Sequence, residues 1–225
     1  MVMNRESTDN GFLMRSKRFI HLNGLYITAS EMMHRTGVAF RRWMLAGKLG
    51  CPDIVIGPRS YLRGLGYISI GKNFKASEGL WLEAIANQFD GTHIPCIKIG
   101  DNVSISKWSH IAATNRVEIG NGVLIGSKVL ITDHGHGQYT ETHTSPLVPP
   151  VYRPVASDRQ VIIGGNVWIG DGVVVCPGSN IGEGVVIGAN AVVTGTIAPF
   201  TLAVGIPARP LKHYSFEINE WVNIQ

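Results

Sequence analysis

An aliphatic residue returns every sixth position from Ile163 through Ile169, Val175, Ile181 and Ile187 to Val193, usually followed by a small residue, as in Ile163-Gly164, Ile169-Gly170 and Ile181-Gly182. Six is not a helical period. It is a multiple of the strand period of two, so each aliphatic side chain can face the same side of a short extended segment that then turns a corner. One such unit cannot bury its apolar face alone, and stacked units share a continuous core, so the pattern predicts a parallel β-helix. Turn-compatible pairs such as Asp171-Gly172 and Glu183-Gly184 follow the small residue and mark the corners.

The period extends backwards through Ile131, Ile125 and Ile119, then Ile111, Ile105 and Ile99, with two extra residues between the blocks. That insertion, near Asn115-Arg116, predicts a bulged corner. Ile56-Gly57 and Ile70-Gly71 read as weaker early coils, separated from the regular ones by an irregular stretch from Glu83 to Pro95. The largest interruption, Asp133 to Gln160, is too long for a corner. It carries His134, His136, His143, Tyr139, Tyr152 and Arg153, and predicts a loop thrown out of the prism, where function usually sits.

The expected organisation is therefore an N-terminal helical cap or extension over residues 1–50, a β-helix over 51–213 with the loop 133–160, and a tail over 214–225. The 44% hydrophobic content of the 225 residues supports a real core, and the 27 glycines show no collagen-like period. The three cysteines, Cys51, Cys96 and Cys176, are widely spaced and no basic-apolar leader opens the chain. A disulfide framework and secretion are not expected; a cytoplasmic protein is. No apolar run approaches a membrane span.

The net charge of +4 is uneven, with Arg15, Lys17, Arg18, His34, Arg35, Arg41, Arg42 and Lys48 interleaved among Met32, Met33, Phe40, Trp43, Met44 and Leu45. Roughly Ser30 to Ala46 reads as a basic amphipathic helix with Ser30 as N-cap. Such a helix can cover the open end of the β-helix, which composition favours, or lie on an anionic membrane surface or polyanion at the inner face of the membrane. No motif supports nucleic-acid binding.

Three stretches carry a resemblance: Ile131-Thr132-Asp133-His134-Gly135-His136-Gly137, then Val167-Trp168-Ile169-Gly170 leading to Val175-Cys176-Pro177-Gly178, then Ala203-Val204-Gly205-Ile206-Pro207-Ala208-Arg209. In this order, over residues 54–213, the chain resembles the hexapeptide-repeat acyltransferases with a left-handed β-helix. Within them it is similar to the branch of galactoside and maltose acetyltransferases and surface-polysaccharide O-acetyltransferases. The resemblance implies an all-β, left-handed fold, a homotrimer with sites between neighbouring prisms, acetyl-CoA as donor without a metal, and a carbohydrate acceptor. It also implies a histidine that deprotonates the sugar hydroxyl, assigned to His134 with His136 as second choice. Imidazole suits that task because it is neutral and basic at working pH. Asp133 or a carbonyl would fix its tautomer, and direct attack leaves Cys176 a packed residue.

By the same resemblance Trp168 borders the donor, Asp171, Ala189 and Thr194 line the pantetheine groove, and Arg209 and Lys212 meet the phosphates. Lys75, Ser77, Trp81 and Glu83 fall in the acceptor region. Ser77 stands where the galactoside enzymes carry asparagine, and Arg153 either binds an acidic sugar or pins the loop. Two rival classes are a γ-type carbonic anhydrase using His110, His134 and His136, and a non-catalytic scaffold. The zinc reading leaves Trp168, Arg209 and Lys212 without purpose, and the intact histidine loop argues against the scaffold.

Overall fold

The computed structural model describes residues 43–86, 94–139, 144–156 and 159–224, together with Gly24, Gly37 and Phe40. It divides into two compact units, Met1–Trp43 and Met44–Gln225. The expected boundary at residue 50 thus lies inside the second unit, because the helical residues 43–49 place Leu45 and Leu49 in its core, at 9% and 7% exposure. Phe40, Trp43 and Met44 are exposed. Ser30, its proposed capping role and the basic residues before Phe40 lie outside the described residues, as does His143.

The second unit is a left-handed parallel β-helix, against the usual right-handed preference of parallel crossovers. Its strands are mostly two to four residues long and fall on three faces. The first face starts at Val55–Ile56, the second at Tyr61–Arg63 and the third at Ile68–Ile70. Strand alternation sends one residue of each pair inward and its neighbour outward, as in Trp168–Ile169, where Trp168 is exposed and Ile169 buried. The inward residues stack in rows. Ile105, Ile125, Ile169 and Ile187 form one, Ile111, Ile131, Val175 and Val193 a second, and Ile119, Ile163, Ile181 and Ile197 a third. These side chains, with 0–4% exposure, are the hexad core read from the sequence.

Corner chemistry explains the polar half of the repeat. Between the third and first faces, Asn73, Asn102, Gly122, Asn166, Gly184 and Phe200 all take φ between 55° and 69°. Asparagine and glycine tolerate this left-handed region at least cost. A Cβ on Gly170, at another corner, would lie 2.6 Å from the nitrogen of Ala189 in the next coil, so that position must stay small.

Three expectations change. The extra residues near Asn115-Arg116 lengthen two strands, His110–Ala113 and Arg116–Ile119, to four residues each instead of bulging the corner. Glu83 belongs to the strand Trp81–Ala84 and not to the irregular stretch, because it pairs in register with Ala112. The expected boundary at residue 213 cuts the strand Arg209–Ser215, which pairs antiparallel with Thr201–Val204 and Glu220–Asn223 and so extends the first face.

Candidate active site

The second face ends at the corner where the long interruption begins. Leu130–Thr132 is its strand there, and the chain then turns inward at Asp133, whose side chain is fully buried. A buried carboxylate needs donors. Asp133 has them in the preceding coil: Oδ1 accepts the Thr114 N–H at 2.9 Å, and Oδ2 accepts those of Asn115 and Arg116 at 2.8 and 2.6 Å. Oδ1 is also 2.9 Å from Nδ1 of His134, and Thr132 Oγ1 is 3.1 Å from that nitrogen. An ionised carboxylate only accepts, so Nδ1 carries the proton toward Asp133 and Nε2 keeps its lone pair. His134 is partly buried, with 16% of its side chain exposed.

Beyond it the chain forms a two-stranded tongue, Gly135–His136 antiparallel to Val155–Ala156. His136 is exposed, and its side chain makes no hydrogen bond among the described residues. Arg153 donates Nε to Val148 O at 2.8 Å, Nη1 to Tyr139 Oη at 2.8 Å and Nη2 to Pro146 O at 3.2 Å. Of the two tasks considered for Arg153, the geometry is that of pinning the loop.

Trp81 and Glu83 are on the second face, whose later strand Leu130–Thr132 leads to His134 at its far corner. Trp81 stacks on His110, ring centroids 4.5 Å apart, and meets Tyr61 edge-on at 5.4 Å. His110 Nε2 is 3.3 Å from Glu83 Oε1. His110 was legible only as a zinc ligand; the usable signal was its outward place before Ile111, matching Trp81 before Leu82. Among the described residues no three His, Cys, Asp or Glu side chains are grouped as a metal requires. Ser77 is exposed at the corner between the first and second faces, away from His134. Lys75 is on the first face.

The donor set divides in the same way. Trp168, 54% exposed, is on the first face in a row that continues through Val186 and Leu202 to Lys212. At about 4.8 Å per strand, Trp168 and Lys212 are roughly 14 Å apart. Arg209 is exposed in the same strand as Lys212. Asp171 and Ala189 occupy one corner in successive coils, where Asp171 Oδ1 accepts the Ser127 N–H at 2.6 Å. Thr194 does not join them, because the strand Val192–Val193 carries the chain across the second face to its far corner. Burial raises the thiol pKa of Cys176, which disfavours the thiolate and agrees with a packed residue.

The family described as Bacterial transferase hexapeptide (six repeats) matches residues 160–195. The lipopolysaccharide biosynthesis O-acetyl transferase WbbJ of Escherichia coli (strain K12), as it is named, is 42% identical over 163 residues, 72% of this chain and 79% of that protein. The galactoside O-acetyltransferase of the same organism is 32% identical, over 62% of this chain and 67% of its own length. In fold the chain is similar to AntD, an N-acyltransferase from Bacillus cereus crystallised with dTDP and 3-hydroxybutyryl-CoA. The TM-score is 0.60 at 22% identity, over 75% of this chain and 84% of AntD. The period, the corner-bound histidine loop and these likenesses together assign the chain to the hexapeptide-repeat acyltransferases.

Proposed function

We propose that the protein transfers an acetyl group from acetyl-CoA to a sugar hydroxyl during assembly of a bacterial surface polysaccharide such as O-antigen, capsule or exopolysaccharide. The observation that carries this reading is the Asp133–His134 pair, with Nδ1 held and Nε2 without a partner among the described residues. Nε2 takes the hydroxyl proton as the sugar oxygen attacks the thioester carbonyl. The tetrahedral intermediate then collapses by breaking the C–S bond, and the thiolate leaving group recovers the proton from imidazolium. Backbone N–H groups at a corner would meet the oxyanion. The likeness to WbbJ supports the polysaccharide acceptor.

The same reading makes the active unit a homotrimer. Trp168 is on the first face and His134 at the far corner of the second, so one chain does not present both to one ligand. Two copies do, if the first face of one lies against the histidine corner of the next. Arg209 and Lys212 then hold the CoA phosphates beyond Trp168. Among the described residues no helix is long and apolar enough to cross a membrane. The use of acetyl-CoA supports a reaction in the cytoplasm.

The test is mass spectrometry of surface glycans from cells with and without the gene. An acetyl mass lost on deletion, restored by the wild type and not by His134→Ala, supports the reading; unchanged glycans sink it. Co-expressing His134→Ala with Trp168→Ala chains should restore about a quarter of wild-type turnover if each site draws on two copies of a closed ring. No restoration would mean both residues act within one chain or not at all.

A further inference from the structure

We propose that His110 is a positioning residue for the acceptor: it holds the Trp81 indole and the Glu83 carboxylate in the places from which they grip the sugar offered to His134. This rests on the transferase reading above and gives a task to a histidine that the transfer step does not use.

The placement follows from register. Trp81 and His110 are successive outward residues on the second face, and Glu83, Ala112 and Thr132 form the neighbouring row. Thr132 in turn touches His134. At about 4.8 Å per strand, the Glu83 and Thr132 backbones are roughly 10 Å apart, a span suited to one pyranose with its hydroxyls. Arg63, one rung beyond Glu83 in that row, makes no ion pair among the described residues.

The chemistry follows from what is left unpaired. Glu83 is only 7% exposed, and a carboxylate so buried is costly without hydrogen bonds. Among the described residues its one side-chain partner is His110 Nε2, at 3.3 Å, which leaves acceptor capacity free. The Trp81 indole N–H has no hydrogen-bond partner among the described residues, although the residue is 46% exposed. A free donor beside a free acceptor suits hydroxyl groups, which both donate and accept. His110 joins the two. Its ring lies 4.5 Å from the Trp81 ring at 23°, while Tyr61 closes the other side of the indole at 5.4 Å and 72°. Without the imidazole, the indole can rotate and the carboxylate loses its hydrogen bond.

The experiment measures CoA release from acetyl-CoA with methyl pyranosides as acceptors: glucoside, galactoside, mannoside, rhamnoside and N-acetylglucosaminide. For the best acceptor, His110→Ala should raise the acceptor KM about tenfold while leaving the acetyl-CoA KM unchanged, with some fall in melting temperature from the hydrogen bond that Glu83 loses. His110→Phe keeps a stacking ring without the Glu83 contact, and His110→Gln keeps a donor without the ring. Each should fall between wild type and alanine, and they carry the test if the alanine variant does not fold. An acceptor KM within about twofold of wild type, or an equal rise for acetyl-CoA, overturns the proposal. So does a wild type that acetylates none of the pyranosides. In that last case an acetyl mass lost from cell glycans on deletion would leave the transferase reading standing, so the two failures are separable.

Discussion

The corner between the second and third faces recurs in six coils, and among the last four of them only one is open. In one coil it is Thr114-Asn115, in the next the excursion from Asp133 to Gln160, then the short turns 176–179 and 194–195. A plain corner uses one short hydroxyl: Ser179 Oγ lies 2.7 Å from Cys176 O in its own turn and 3.1 Å from Val193 O in the following coil. The open corner does the reverse and lends its Asp133 carboxylate to the backbone of the coil before it. A repeat tolerates a long insertion when the residue at its root replaces the hydrogen bonds that an ordinary corner would have made. Stability and chemistry therefore meet at Asp133 and part company one residue later.

Changes at the two corners can break that contrast. The largest effect belongs to Asp133→Ala, which leaves three N–H groups without their acceptor and His134 without its orienting partner. Chemical denaturation should show a loss of about 3 kcal/mol, with turnover falling alongside. A stable but inactive variant would show that the corner does not depend on the carboxylate. Next comes His134→Ala, expected to cost about 10² to 10⁴ in turnover with only about 1 kcal/mol of stability, for the one hydrogen bond that Asp133 loses. Should His136→Ala be the more damaging of the two, the assignment of the base moves to His136.

A smaller effect is expected from Arg153→Ala, which removes three donors from the tongue. The Gly137 amide, bonded to Pro154 O at 2.7 Å, should lose about 1–2 kcal/mol of hydrogen-exchange protection while the amides of Ile169 and Ile187 keep theirs. Loss of protection in both places would mean that the loop and the coils open as one unit. The smallest change is Cys176→Ala at the plain corner, with under about 1 kcal/mol of stability lost and turnover unaltered. Because burial raises its thiol pKa, alkylation of Cys176 in the folded protein should need a higher pH than in the unfolded chain. Ready modification at neutral pH, with loss of turnover, would reopen a nucleophilic role.

How far the site could be read in advance depended on distance along the chain. Asp133 and His134 are adjacent, so their pairing was within reach of a motif. The partners that bury Asp133 stand 17 to 19 residues earlier and have no mark in composition. His110 and Glu83 are 27 residues apart, and the choice between a ligand and a neighbour of Trp81 needed the register of two strands. Thr194 was grouped with Asp171 and Ala189 by the resemblance, yet the width of the second face separates it from them.

What the amino acids determined by themselves is everything that repeats: the inward Ile and Val rows, the small residues beneath the corners, and the polar positions that take positive φ. Those follow from strand alternation and backbone sterics, which act over a few residues. Only the tertiary structure decided which face each repeat occupies and which residues meet across coils. The lengths of the corners and of the excursion set that register, so Trp168 and His134 end on different faces while Trp81, Glu83 and His110 end together. A period carries no record of how many residues are spent between one strand and the next in space. Hydrogen bonds between coils do.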